Sequence, residues 1–271
     1  MTTHHSAQKS GFSLLEMAIV LIIIGLIVGA TMAGSAMIRA SEIRAAISEY
    51  TNYVQAITQF RDKYKALPGD FATATTIWGE AHSNATTCKT TQGTIPTYTC
   101  NGDGNGAIVT QSSYATTSYE QFRAWQHLVN AGLIEGYYSG VRAAGSSHGA
   151  LIGTNFPASK FSGAGWQLTT ATTYDISTAS ITGISYSAGD TPPNLILWFG
   201  GKTFENSFRM TPVLRSPEAY DLDIKLDDGK PYYGKIISQT QSGMTTSCVT
   251  SNEYTQTATD IACALIFKTG L

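Results

Sequence analysis

Lys9-Ser-Gly-Phe-Ser-Leu-Leu-Glu-Met-Ala-Ile-Val-Leu-Ile-Ile-Ile-Gly-Leu-Ile-Val-Gly-Ala30 is the stretch on which the reading of the whole chain turns. A short polar leader ends at Gly11, and an apolar run opens at Phe12 and continues to about Ile38, broken by one charge, Glu16. At about 1.5 Å per residue, a helix of that length spans the roughly 30 Å hydrocarbon core of a bilayer. A carboxylate near the start of such a helix costs roughly 2.5–3.5 kcal/mol on insertion scales and marks a functional residue. The run is far longer than the apolar core of a cleaved secretory signal, and no small-x-small site follows it. An uncleaved signal anchor is the plain alternative. Lys9 is the leader's one firm positive charge, beside His4 and His5, and Arg39 and Arg44 lie beyond the run, so charge does not set the orientation.

Past the membrane segment, Ile43, Ile47, Tyr50, Val54, Ile57, Phe60 and Tyr64 recur at steps of three and four, a single apolar helical stripe. Arg39, Glu42, Arg44, Glu49, Gln55, Arg61 and Asp62 fall largely off it. The pattern predicts one helix from Phe12 to Ala66, on the order of 80 Å long, whose outer half packs on a core. Leu67-Pro68-Gly69-Asp70 ends it. A short helix is expected around Ile77 and Trp78, and a longer one from Tyr119 to Gly132, with Ser118 as N-cap and Phe122, Trp125, Leu128 and Val129 on its apolar face. His127 has no second ligand or nucleophile near it in sequence and reads as a packed or surface histidine rather than a catalytic one.

Trp166-Gln-Leu, Tyr174-Asp-Ile and Ile181–Tyr186 read as short strands, and Asn194–Phe199, a continuous apolar run, as a buried central strand. A short helix from Ser216-Pro217 leads to a turn at Asp227-Asp228-Gly229 before a final hairpin, and its four aspartates in eight residues either bind a cation or, on the plainer reading, cap backbone amides. Ala262–Phe267 reads as the last strand. His148 sits in a Gly/Ser loop.

The 271 residues carry a net charge of −2 with only 13% charged side chains, which argues against a nucleic-acid partner. Without leader and membrane segment, roughly 200–230 residues remain, enough for one full core. Cys88, Cys100, Cys248 and Cys263 all lie beyond the membrane segment and point to two disulfides in an oxidising compartment. Four cysteines allow three pairings; locality favours Cys88 with Cys100. Asn101-Gly-Asp-Gly-Asn-Gly106 follows directly. Asn101, Asp103 and Asn105 place oxygens at alternate positions, as in the first half of a calcium loop, but Ser112 stands where the closing glutamate is required. A Gly/Asn turn needing no ion is the competing reading. No catalytic triad, phosphate loop or closed metal set is visible, so no enzyme activity and no certain cofactor are expected.

Gly11-Phe-Ser-Leu-Leu-Glu16 followed by an apolar helix resembles the signal of type IV prepilins and of type II secretion pseudopilins. Ala66-Leu-Pro-Gly-Asp-Phe71, the segment Trp125–Gly136 and the block Pro217–Gly234 resemble further parts of that class, and Cys248 and Cys263 resemble the disulfide-bounded region near a pilin C-terminus. The resemblance implies cleavage between Gly11 and Phe12 by a prepilin peptidase, methylation of the new Phe12 amine, and a role for Glu16 in pairing with that amine in a neighbouring subunit. Opposite charges in a low-dielectric bundle are tolerable when together, which would set register. Many type IVa pilins place a proline near the position of Ala33; this chain has none, so Gly25, Gly29 and Gly34 would have to permit any melting of the helix. Related pseudopilins often carry a calcium-bound loop.

The expected fold is α+β and pilin-like: leader 1–11, membrane and assembly helix 12–38, amphipathic extension 39–66 packed on an antiparallel sheet, and a loop-rich globular domain 67–271. The expected function is a structural, minor subunit of a type IV pilus or type II secretion pseudopilus. It would stand in the bacterial inner membrane with its globular domain extracytoplasmic, then in a filament with other pilin subunits. A pilus-associated adhesin and an anchored protein that never polymerises are the alternatives.

Overall fold

The computed structural model describes residues 13–108, 119–143, 149–170, 195–202, 210–239 and 248–271. Two compact units, Met1–Glu42 and Ile43–Leu271, divide the chain. Helix α1 (Leu14–Tyr64) contributes to both. It ends as Pro68 requires, with Lys65 already at φ +56°.

In the second unit, the stripe predicted from periodicity faces inward. Ile43, Ala46, Ala56, Ile57 and Phe60 are buried, and Ile47, Tyr50, Tyr53, Val54 and Tyr64 pack at the edge of the core. Opposite them lies an antiparallel sheet of β1 (Gly165–Thr170), β2 (Leu195–Gly200), β7 (Ile261–Lys268) and β3 (Leu214–Arg215), in that order, with β4 (Ile236–Gln239) also on β7. Trp166 pairs with Phe199, Leu197 with Phe267, and Ile236 with Phe267. Their side chains join α1 in the main core, where the Trp166 ring lies 4.7 Å from Phe199 and 5.2 Å from Phe267. Burying each such side chain contributes on the order of 1.5–3 kcal/mol.

The other face carries Ile196, Trp198, Ile237 and Ile266, a second buried cluster with Met210. Leu195–Gly200 is therefore buried at every position, which is why its sequence is continuously apolar rather than alternating. A small hairpin, β5 (Val249–Thr250) with β6 (Glu253–Tyr254), lies between β4 and β7 in sequence.

Four further helices complete the described fold: α2 (Ala74–Trp78), α3 (Ala85–Cys88), α4 (Glu120–Asn130) and α5 (Ser216–Leu226). Pro217 stands in the first turn of α5, and Glu218 accepts from the Arg215 amide at 2.8 Å. Gly132, at φ +71°, ends α4 as expected. Sequence reasoning gave α4 one apolar face, whereas every residue from Glu120 to Leu128 is buried. Ser118, Tyr174-Asp-Ile, Ile181–Tyr186 and His148 lie outside the described residues.

Disulfides join Cys88 to Cys100 and Cys248 to Cys263, with sequence separations of 12 and 15. Each closes a short loop, worth roughly 2–3 kcal/mol by chain entropy.

Candidate functional site

The first unit offers a functional helix by itself. From Leu14 to Ile38 its large apolar side chains face outward, Leu14 at 92% exposure and Leu21 at 70%. Apolar area of this extent on one helix has no aqueous role; it wants lipid or other helices. Among the described residues, α1 is the one helix long and apolar enough to cross a membrane.

Glu16 does a specific job at the start of that helix. Its Oε2 accepts the Ser13 backbone N–H at 2.8 Å, while Ser13 Oγ accepts from Leu15 at 3.1 Å and Glu16 at 3.4 Å. This reciprocal capping box satisfies amides that the helix leaves unpaired and places the carboxylate at the positive end of the helix dipole. Gly11 and Phe12 lie outside the described residues. At the aqueous end of the unit, Arg39 and Glu42 form an ion pair at 2.9 Å.

The second candidate site is built around the turn that ends α1. Asp70 is buried, and its Oδ1 accepts from Gly104 at 2.7 Å and Asn105 at 3.0 Å, its Oδ2 from Gly106 at 2.8 Å. The Asn101–Gly106 loop thus wraps its backbone amides around a carboxylate brought from elsewhere in the chain, an anion nest. Gly102 makes the wrap feasible, since a Cβ there would sit 2.3 Å from the Asp70 carbonyl carbon. Burial raises the Asp70 pKa, and the neighbouring Asp103 carboxyl raises it further, against the lowering effect of the nest amides.

For calcium, the structure redistributes the predicted ligands. The Asn101 side-chain oxygen accepts from Thr75 at 2.8 Å and that of Asn105 from Ala107 at 2.8 Å, so both are turned to backbone amides. Asp103 instead gathers with Asp70 and Glu120, one ligand atom of each lying within 4.8 Å of the others. Carboxylate oxygens are the hard donors calcium takes, and Asp70, Asp103 and Glu120 are the residues that would hold such an ion. Sequence reasoning missed Asp70 and Glu120 because neither is local to the loop.

His127 locks the same turn from below. It is fully buried, its ring lies parallel to Phe60 at 6.3 Å, its Nδ1 accepts the Gly69 N–H at 3.0 Å, and its Nε2 meets Thr99 Oγ1 at 3.0 Å. Burial first, then the Arg123 charge, lowers its pKa to about 3. The ring is a neutral structural strut, which decides for the packed over the surface reading that its sequence setting left open.

The aspartates of the α5 turn cap amides: Asp227 takes those of Lys235 and Ile236, Asp228 that of Lys230, and Asp223 that of Gly229 together with the Tyr254 hydroxyl. Burial raises the Asp223 pKa to about 6.

Residues 6–32 match the prokaryotic N-terminal methylation motif. The chain carries a prepilin-type cleavage and methylation signal. No characterised protein and no solved structure matches the chain. The matched residues hold the Gly11-Phe12 junction, Glu16 and the start of the exposed apolar helix, and the α+β body beyond is consistent with a pilin-like fold. Together they fit a membrane-anchored, single-pass subunit of the type IV pilin or pseudopilin type.

Proposed function

We propose that the chain is a minor subunit of a type IV pilus or type II secretion pseudopilus, cut by a prepilin peptidase between Gly11 and Phe12, methylated on Phe12 and assembled through its N-terminal helix. The observation that carries this reading is the methylation motif over residues 6–32 joined to a helix whose apolar residues are exposed along its length. Two disulfides support an extracytoplasmic place for the globular unit. A 271-residue chain supports a minor, specialised subunit over a minimal one.

Glu16 gives the assembly step a chemistry. Its carboxylate holds the amide of Ser13, the residue directly after Phe12. Cleavage would create an ammonium on Phe12, one residue before the amide that this carboxylate holds, and assembly would exchange a local cap for an ion pair with a neighbour's Phe12 amine. In a low-dielectric bundle an unpaired carboxylate is costly and the pair sets register.

Mass spectrometry of the mature N-terminus, from membranes containing a prepilin peptidase, tests the processing. A chain beginning at methylated Phe12 is expected, and retention of Met1–Gly11 would overturn it. Glu16→Ala is expected to be processed normally and incorporated poorly into filaments; normal incorporation would contradict the pairing.

A further inference from the structure

We propose that the Cys88–Cys100 bond is a thiol–disulfide exchange site: a dithiol attacks Cys88, and Cys100 leaves as a thiolate received by Arg123. The proposal starts from a buried charge. Arg123 on α4 is fully buried and, among the described residues, no carboxylate forms an ion pair with it. Its Nη1 donates to Gln126 Oε1 at 2.7 Å, and its Nη2 to the carbonyls of Cys88 at 2.9 Å and Thr91 at 2.8 Å. Nη2 also lies 3.4 Å from Cys100 Sγ, and Nε has no partner. Burial lowers the guanidinium pKa only to about 10, so it remains a cation at neutral pH. A buried cation served by neutral acceptors alone is incompletely compensated. A thiolate at Cys100 would supply the missing charge within hydrogen-bond reach. His127 is neutral, Tyr119 beside Arg123 is held neutral by burial, and Lys89 lies over the Tyr119 ring at 4.7 Å, so Arg123 is the cation within hydrogen-bond reach of the sulfur.

The direction of attack follows from the two ends of the bond. Cys88 ends a four-residue helix whose preceding residues, Ser83 to Thr87, are all exposed, so little structure must open to reach it. Cys100 lies beneath Arg123. An external thiolate adds to Cys88 Sγ, the S–S bond breaks, and its electron pair leaves on Cys100 Sγ beside the guanidinium. The second thiol of the dithiol then displaces Cys88 from the mixed disulfide. Two electrons pass from the dithiol, which becomes a disulfide, to the two cysteines; of its two protons one is taken up by Cys88 and the other goes to solvent, because Cys100 stays a thiolate paired with Arg123. A stabilised leaving thiolate accelerates the first step and favours the reduced form.

The second disulfide is an internal control. Cys248–Cys263 spans a similar separation, 15 against 12, and is equally buried. Among the described residues, the polar side chain that meets it is a neutral hydroxyl, Ser238 Oγ, 2.9 Å from Cys248 Sγ. Loop entropy and burial therefore do not separate the two bonds, whereas Arg123 does.

The test titrates the full-length protein in detergent with dithiothreitol, traps thiols with N-ethylmaleimide and maps the labelled peptides. Cys88 and Cys100 are expected to be half-reduced at about tenfold less reductant than Cys248 and Cys263. In the partly reduced wild type, Cys100 is expected to alkylate with an apparent pKa below the ordinary thiol value of about 8.5. Arg123→Lys keeps a cation without the fork and should narrow the interval; Arg123→Met should abolish it. Equal reduction of the two bonds, earlier reduction of Cys248–Cys263, or an ordinary Cys100 titration in the wild type would each overturn the proposal. The wild-type readouts decide it even where a variant fails to fold.

Discussion

Acidification from pH 7 to pH 5 should remove stability through His127. Burial lowers this ring's pKa from 6.5 to about 3, so the unfolded chain takes up a proton that the folded one refuses. The folded value lies below the unfolded one. Stability is therefore complete above the unfolded pKa and is lost as pH falls toward the folded pKa. Each pKa unit is worth about 1.4 kcal/mol, giving a loss of about 2 kcal/mol at pH 5 and about 5 kcal/mol once both values are passed. Asp223 works in the opposite direction. Its pKa is raised from 3.8 to about 6, so its contribution is full below the unfolded value and is lost as pH rises through the folded one; acidification over the same interval returns about 1 kcal/mol. Asp70, also raised, adds in the direction of Asp223. The net wild-type change is small, and a comparison isolates the histidine. Urea unfolding of the purified protein in detergent at both pH values should show the wild type losing about 2 kcal/mol relative to His127→Gln, whose amide can still accept from Gly69 but does not titrate. Equal changes in the two proteins would refute the assignment of His127 as a buried neutral strut.

Removing the Asp70 carboxylate by Asp70→Ala strands the amides of Gly104 and Gly106, while that of Asn105 keeps Asp103 Oδ1 at 3.0 Å, and should cost roughly 2–4 kcal/mol in the same unfolding assay. Gly69→Ala places a Cβ 2.3 Å from the Glu120 carbonyl oxygen at a backbone φ of +90°, and should destabilise by at least about 3 kcal/mol or prevent soluble expression. Ser13→Ala removes one half of the helix cap and should cost about 1 kcal/mol, read as faster amide exchange at Leu15 and Glu16. Glu49→Gln keeps the shape but weakens a carboxylate that accepts from Ser159 Oγ at 2.5 Å, the Lys160 amide at 2.8 Å and Trp166 Nε1 at 2.8 Å; a loss of roughly 1–3 kcal/mol is expected in thermal unfolding.

Periodicity made the helical stripe legible, because a helix that buries one face must repeat its apolar residues every three or four positions. The same logic says nothing of Glu49 beyond its place off the stripe. A charge off the stripe reads as solvated, yet its carboxylate turns back to accept from Trp166 and the Ser159 loop, a contact 117 residues away in sequence. Leu195–Gly200 was readable because double burial leaves no polar position. Arg123 was not, since an arginine between buried aromatics looks like an ordinary exposed position on an amphipathic helix until the all-round burial of α4 is seen. The carboxylate group of Asp70, Asp103 and Glu120 was half legible. The Gly/Asn/Asp loop announces a tight turn, but the acid that fills it comes from the helix exit, where Asp70 looks like routine turn chemistry.

The loop that wraps Asp70 also bears on how the molecule ages. Asn101-Gly102 and Asn105-Gly106 are the dipeptides most prone to spontaneous deamidation, in which the glycine nitrogen attacks the asparagine side-chain carbon, expels ammonia and leaves a cyclic imide that opens to aspartate or isoaspartate. Here the Gly102 nitrogen donates to the Phe71 carbonyl at 3.0 Å and the Gly106 nitrogen to Asp70 Oδ2 at 2.8 Å. Both asparagine oxygens are held by other amides. The nucleophile and the electrophile of each pair are anchored in different directions. A subunit that outlasts its synthesis in an assembled fibre, with no means of replacement, would keep its most perishable sequence intact for as long as that turn stays folded.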